Sequence, residues 1–325
     1  MTHNPRYSTP DANAIPGTRD AEGVSFYYLG VDGGGTKTLA IVVDAQGQER
    51  GRGLAGSANY NAVGLDQAIQ HIHAAVEQAA QVAGCRLPLR KAWLGLAGID
   101  RPHDYEALLP PLHSLAESVH LTNDADLALS ALEDAVGVVL IAGTGSIALG
   151  RDAHGTSRRA GGWGHVIGDE GSGYEMGRLG LQAAVRAADG RGPQTSLLPI
   201  FLKRWHLNNA NDIVGCVYPD EDKARIARLA TDVLTAAREG DEVAGTIVRH
   251  AADELALAVS VVSNALDFPQ QPIPLALGGG LLLHNPDFRA QVLQRLRQQQ
   301  LIGEVVLVEE PALSAARAIL RASFV

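Results

Sequence analysis

The sequence has only two cysteines among 325 residues, Cys85 and Cys216, too few and too far apart for a zinc or iron–sulfur ligand set. Both read as small residues of a reduced cytoplasm. Positive charge is also short: the formal net charge is −9, so there is no basic footprint for nucleic acid. A small phosphorylated ligand stays open, because backbone N–H groups and one or two local cations can supply the field whatever the net charge. No apolar run reaches the roughly 18 residues that cross a membrane, and the N-terminus lacks the apolar stretch of a signal peptide. A cytoplasmic protein that avoids membranes is expected. Residues 1–24 mix polar residues with Pro and Gly and bury too little apolar surface to offset ordering entropy, so they are expected to form a disordered lead. The whole sequence is 46% apolar and 19% charged, the composition of a globular protein, and long enough for two domains.

Along the chain, "SFYYLGVD" (25–32), "KTLAIVVD" (37–44) and "ERGRGLAG" (49–56) read as an antiparallel meander. Helical spacing over 65–84 ends on Gly84, and "KAWLGLAG" (91–98) returns as a buried strand. A helix near 103–116, a strand at 118–124, a helix at 126–134 and a strand at 137–143 follow. Then "IAGTGSIALGRDAHGTSRRAG" (141–161) repeats the layout of the opening: strand, glycine-threonine turn, strand, Asp/Gly turn, strand. The two blocks start about 110 residues apart, a domain length, and indicate an internal duplication. The rest is helical near 173–189, 196–204, 222–238 and 241–266. "IPLALGGGLL" (273–282) is a strand into a glycine turn; a helix opening at Asn285–Pro286, the strand "EVVLVEE" and a helix near 311–322 close the chain.

Three glycine turns directly after apolar strands are the chemical signal: "DGGGTKT" (32–38), "AGTGS" (142–146) and "LGGGLL" (277–282). Glycine lets backbone approach an oxygen-rich ligand, and adjacent N–H groups can converge on phosphate. Taken alone, the first is equally a plain hairpin. None matches a P-loop or a dinucleotide fingerprint.

With the segments "LTNDADLAL" (121–129) and "GGWGHVIGDEGSGYEMGRLGL" (161–181), these turns resemble the actin, sugar kinase and heat-shock ATPase superfamily. Within it they are similar to the N-acetylglucosamine kinase branch grouped with the BadF/BadG/BcrA/BcrD ATPases. The resemblance runs over about residues 27 to 320, and "GGWG-x-x-x-GDEGS" is its most specific piece. It implies an α/β fold of two ribonuclease H-like lobes, a duplicated actin-like ATPase fold with a cleft between the lobes, at 25–140 and 141–325. It also implies ATP and Mg2+ as cofactors, a small-molecule sugar as partner, and a homodimer.

A sugar hydroxyl attacking a γ-phosphoryl group needs a carboxylate to take its proton. Asp124, after a strand and before a helix, matches the family's catalytic aspartate; without the resemblance it reads as well as a helix N-cap. Asp126 reads as a first-turn helix aspartate. Asp32 is the resemblance's Mg2+ residue, acting through water, or else a turn Asp. The resemblance places Gly34, Gly35, Thr36 and Lys37 on the phosphates, opposed by Thr144, Gly145 and Ser146, with Gly279 and Gly280 beside adenosine and "LLLHN" sheltering the base. It places Asn59, Asp124, Trp163, Gly164, His165 and Asp169 on the sugar, with Glu170 supporting. A loop Asn, a core Trp and a structural His are the bland alternatives. Ser314 stands where the family's final "GAA" step has glycine.

The activity implied is ATP-dependent phosphorylation of N-acetylglucosamine at the 6-hydroxyl. Glucosamine and N-acetylmuramic acid are alternative acceptors. A sugar sensor without catalysis is a different class, and so is an activator ATPase with a bridging cluster. The activator needs paired cysteines, which are absent; a sensor is expected to lose Asp124 or a phosphate turn, and neither is lost.

Overall fold

The computed structural model describes residues 26–99, 101–218, 222–268, 272–299 and 302–321. The lead expected over residues 1–24 lies outside them. In chain order the elements are β1 (Tyr27–Gly33), β2 (Thr38–Asp44), β3 (Glu49–Ala55), α1 (Tyr60–Val63), α2 (Leu65–Ala83), β4 (Leu89–Leu96), α3 (Pro102–Leu112), β5 (Ala116–Asn123) and α4 (Asp124–Leu129). There follow β6 (Gly137–Ala142), β7 (Ser146–Arg151), β8 (Ser157–Gly161), α5 (Gly173–Ala188), α6 (Leu197–Trp205), α7 (Ile213–Val217), α8 (Lys223–Ala227), α9 (Ala230–Arg238) and α10 (Glu242–Asn264). The chain ends with β9 (Ile273–Gly278), α11 (Gly280–Leu283), α12 (Pro286–Gln299), β10 (Ile302–Val308) and α13 (Pro311–Arg321). The single helix expected over 222–238 is two, α8 and α9.

The chain divides into two compact units: the residues up to Ala135 together with those from Glu310 onward, and Val136–Glu309. In the first, the strand order is β3-β2-β1-β4-β5, with β2 antiparallel to β1 and β3 and with β1, β4 and β5 parallel. The second repeats the order as β8-β7-β6-β9-β10, with the same senses. The duplication read from the turns is therefore a duplication of sheet topology.

In the first unit the "RGRG" pattern of β3 points arginines out and glycines in. A Cβ on Gly51 or Gly53 would fall 2.1 Å from Ala79 O or 2.0 Å from Ala75 O, so α2 lies directly on the strand. α2 answers with a buried stripe of Ala68, Ile72, Ala75, Val76 and Ala79, in which burying Ile72 or Val76 contributes about 1.5 to 3 kcal/mol. The other face is covered by α13, which therefore belongs to the first unit and not to the lobe expected over 141–325. Ala312 and Ala316 of α13 meet Gly30 of β1, where a Cβ would stand 1.9 Å from Ala312 O. Ser314 fits within this helix, its hydroxyl directed at Glu310 O at 3.5 Å.

The second unit's core is larger, built around Met176, Phe201, Leu255 and Phe288, because five of its helices, α5 to α9, precede α10 in the crossover from β8 to β9. The Asp/Gly turns of the two meanders are built alike. Asp44 accepts from the N–H of Gln46 at 2.9 Å and of Gln48 at 3.0 Å, and Asp152 from those of His154 at 3.0 Å and Thr156 at 2.9 Å. Burial works against both charges, but these donors, with Arg50 beside Asp44 and the Asp267 N–H beside Asp152, hold both carboxyls below the usual range.

Candidate functional site

In the first unit three parallel strands end together. Asp32 of β1 lies opposite Gly95 of β4, and Gly95 opposite Thr122 of β5. Two strand spacings put the Asp32 and Thr122 backbones on the order of 10 Å apart across the sheet. Gly95 carries nothing in between, and a Cβ there would come within 2.5 Å of Leu127 Cβ, so α4 starts directly over the end of β4. Asn123, rather than Asp124, caps α4: its Oδ1 accepts from the Asp126 N–H at 2.7 Å. Asp126 is thus a first-turn aspartate, and Asp124 is the exposed first residue of the helix, with its Oδ1 accepting from the Ala125 N–H at 3.0 Å.

Asp32 is half-buried, and its pKa is pushed up to about 6, first by burial and then by the negative charge of Asp124, against the pull of Lys37. Two mutually repelling carboxylates with oxygen donors are a fitting chemistry for a hard divalent cation such as Mg2+, which needs few protein ligands because it keeps its waters. Among the described residues no group of three or more His, Cys, Asp or Glu forms a denser metal site.

The first glycine turn is closed by the Gly34 N–H donating to Lys37 O at 2.9 Å. Among the described residues nothing accepts from the N–H groups of Gly35, Thr36 or Lys37, and all three residues are exposed. A Cβ on Gly35 would meet nothing within 4 Å, which leaves room for an outside group to come up to the backbone. Asn59 caps α1, its Oδ1 accepting from the Asn61 N–H at 3.1 Å, while Asn61 Nδ2 donates to Gly98 O at 2.9 Å. The Asn59 amide NH2 is left with no acceptor among the described residues.

In the second unit the turn "AGTGS" is held from behind by α5. The N–H groups of Gly173 and Tyr174 donate to Gly143 O at 2.8 Å and Thr144 O at 3.2 Å. Those of Thr144 and Gly145 have no acceptor among the described residues. Ser146 is turned inward: its hydroxyl donates to Glu170 O at 2.7 Å and its N–H to Asp169 Oδ1 at 3.4 Å. Asp169 is buried with φ 61°, and a Cβ on Gly145 would be 2.8 Å from its carboxylate, so Asp169 braces the turn. Gly279, at φ 84°, brings the third turn against the second; a Cβ on it would strike Ala142 O at 2.4 Å. Gly280 is adjacent, its nitrogen 3.6 Å from the position of a Cβ on Gly143. Leu281 and Leu282 belong to the core, so they do not shelter a base as expected.

Trp163 is 62% exposed, so the core alternative does not hold for it; the Arg159 guanidinium sits 4.8 Å from its ring centroid. Gly164, at φ 83°, is exposed and a Cβ on it would meet nothing within 4 Å, and His165 meets the edge of Tyr174 at 4.9 Å between centroids. The segment presents an aromatic face and bare backbone to whatever approaches it.

Sequence reasoning missed Ser57 and Gly95. Ser57 lies two residues before Asn59 with no motif of its own, and Gly95 is marked only by the strand pattern around it.

The profile of the BadF/BadG/BcrA/BcrD ATPase family matches residues 29–307. An N-acetylmuramic acid/N-acetylglucosamine kinase of Clostridium acetobutylicum is 33% identical over 261 residues, covering 79% of this chain and 85% of the relative. An N-acetyl-D-glucosamine kinase of Dictyostelium discoideum is 33% identical over 271 residues, covering 78% and 84%. A crystal structure of a Chromobacterium violaceum protein, provisionally assigned as an N-acetylglucosamine kinase, superposes with a TM-score of 0.71 at 26% identity, over 91% of this chain and 99% of that one.

Proposed function

Because the chain belongs to the BadF/BadG/BcrA/BcrD ATPase family, we propose that it is an ATP-dependent kinase of an amino sugar, with N-acetylglucosamine phosphorylated at the 6-hydroxyl. The observation that carries the reading is the handling of Asp124. Asn123 takes the capping duty, which leaves the Asp124 carboxylate on the exposed side of the strand ends with Asp32 close enough to feel its charge.

Asp124 accepts the proton of the sugar hydroxyl as that oxygen bonds to the γ-phosphorus and the bond to the ADP oxygen breaks. In the first unit the N–H groups of Gly35, Thr36 and Lys37, which have no acceptor among the described residues, take phosphate oxygens together with the Lys37 charge, and in the second unit those of Thr144 and Gly145 offer the same chemistry. Gly34 closes the first turn, Ser146 and Asp169 brace the second, and Gly279 and Gly280 take the adenosine side. Mg2+, when bound, neutralises charge on the transferring phosphates, and Asp32 would hold it through water. The Asn59 amide, Trp163, Gly164 and His165 recognise the sugar, and Asp169, whose Oδ1 accepts from the Ser146 N–H, keeps Oδ2 as an acceptor for a sugar hydroxyl.

Location and assembly belong to the same proposal. The two cysteines are free thiols, as the cytoplasm allows, and among the described residues no helix is long and apolar enough to cross a membrane. A homodimer is supported by family resemblance alone, and sedimentation tests it.

N-acetylmuramic acid is the second acceptor to consider, since the Clostridium relative is named for both sugars. The test is coupled ADP release with N-acetylglucosamine, N-acetylmuramic acid, glucosamine and glucose, with NMR of the product to locate the phosphate. The fastest turnover is expected with N-acetylglucosamine and a phosphate on its 6-oxygen; no sugar-dependent ADP release with any of the four would overturn the reading.

A further inference from the structure

Ser57 is buried on the segment that joins β3 to α1. Its hydroxyl makes two bonds at once: it donates to Gly34 O at 3.3 Å and accepts from the Asn59 N–H at 3.1 Å. The first partner belongs to the glycine turn and the second to the residue assigned to the sugar. The surrounding backbone is pinned as well. The Ala58 N–H donates to Gly34 O at 3.2 Å, and Thr38 Oγ1 to Gly56 O at 2.7 Å. His71 Nδ1 lies 2.7 Å from Ser57 O; a carbonyl only accepts, so Nδ1 carries the proton, and Nε2 accepts from Gln67 Nε2 at 3.1 Å.

We propose that Ser57 is a positioning residue whose single hydroxyl sets the sugar-side Asn59 and the phosphate turn at Gly34 in one fixed register. The proposal rests on the amino-sugar kinase reading above. The second unit has a related link in the opposite sense, from a serine on the turn's own strand at the place that Thr38 holds in the first unit. There the Ser146 hydroxyl ties the second glycine turn to Glu170 in "GDEGS", the segment that carries Asp169. Ser57 and Ser146 are both 8% exposed, so neither hydroxyl is spare for solvent, and each has taken a partner that links a turn to a sugar-side segment.

The test compares Ser57→Ala with Ser57→Thr, which keeps the hydroxyl, and Ser57→Cys, which keeps the volume with a weaker donor. Loss of a buried hydrogen-bond pair is expected to raise the KM for sugar and the KM for ATP together in Ser57→Ala, each about 5- to 10-fold. Ser57→Thr restores both, and if the alanine variant does not fold, Ser57→Cys shows the same paired rise at smaller size. A lowered melting temperature with both KM values unchanged would show a purely structural residue and overturn the proposal, as would a rise in only one KM. If the wild type releases no ADP with any sugar, the kinase reading fails separately. Ser57 is then judged by ADP titration calorimetry and amide exchange: weaker ADP binding with faster exchange at Ala58 and Asn59 supports the coupling, and unchanged values for both refute it.

Discussion

At equivalent places in the two sheets the first unit carries Asp32, Gly95 and Thr122, and the second carries Ile141, Gly278 and Val308. The glycine of the middle strand is kept in both, while the carboxylate on one side and the hydroxyl on the other are replaced by apolar side chains. Beyond the third strand the contrast continues. β5 runs into Asn123 and Asp124, a cap followed by an exposed carboxylate, whereas β10 runs into Glu309 and Glu310, and Glu310 is paired with Arg52 at 3.0 Å. One topology therefore supports two tasks. The first unit has the groups that can move a proton and attract a cation, and the second has amide-lined glycine turns braced by a helix. Duplication supplied the strand ends, and the residues placed on them decide which end does chemistry.

The largest effect expected from disturbing this arrangement is structural. Gly30→Ala sets a methyl group 1.9 Å from Ala312 O, a backbone atom that cannot swing away, and should cost about 3 kcal/mol in thermal or urea unfolding. Gly35→Ala meets nothing within 4 Å, so its stability should stay within about 0.5 kcal/mol of wild type while its KM for ATP rises. Equal destabilisation by the two would mean that the first turn is a packed hairpin and not an open one.

A pH series separates the strand-end carboxylate Asp32 from the turn carboxylates Asp44 and Asp152. Asp32 has its pKa raised from 3.8 to about 6 in the folded chain, so the protonated form favours folding. That contribution is complete below about pH 4 and is lost as pH rises through 6. Asp32→Asn should therefore be more stable than wild type at pH 7.5 by about 2 kcal/mol, with the gap closing near pH 4. Asp44 and Asp152 have lowered pKa values, so their contribution is present above about pH 4 and fades below it. Asp44→Asn and Asp152→Asn should each lose about 1 kcal/mol at pH 7 and converge with wild type in acid. The smallest effect belongs to Glu310→Gln, where an exposed pair with Arg52 is lost: under about 1 kcal/mol in stability, with turnover unchanged.

Much of this was legible because it is written in local pattern. Alternating apolar residues ended by glycine marked the strands on either side of each turn, and the repeat of turn chemistry at 32–48 and 141–156 exposed the duplication. What was not legible depended on contacts distant in sequence. The assignment of α13 to the first unit rests on Ala312 meeting Gly30, far apart along the chain. Ser146 read as a phosphate ligand because it stands in a glycine turn, but only the fold shows its hydroxyl turned toward Glu170 O. Leu281 and Leu282 read as a shelter for a base, yet the helical turn of α11 rotates them into the core. Asp124 was found as a residue type after a strand; that Asn123 relieves it of capping is a matter of side-chain geometry.

The central claim is that Asp124 is the base and the glycine turns the phosphate holders, so that chemistry and nucleotide binding can be separated. The most direct measurement is sugar-dependent ADP release by Asp124→Asn, with ADP affinity determined on the same sample. The account predicts a fall in kcat of about 1,000-fold, within the range of a lost general base, with ADP affinity within about two-fold of wild type, a shift of under about 0.5 kcal/mol. Turnover equal to wild type would contradict it.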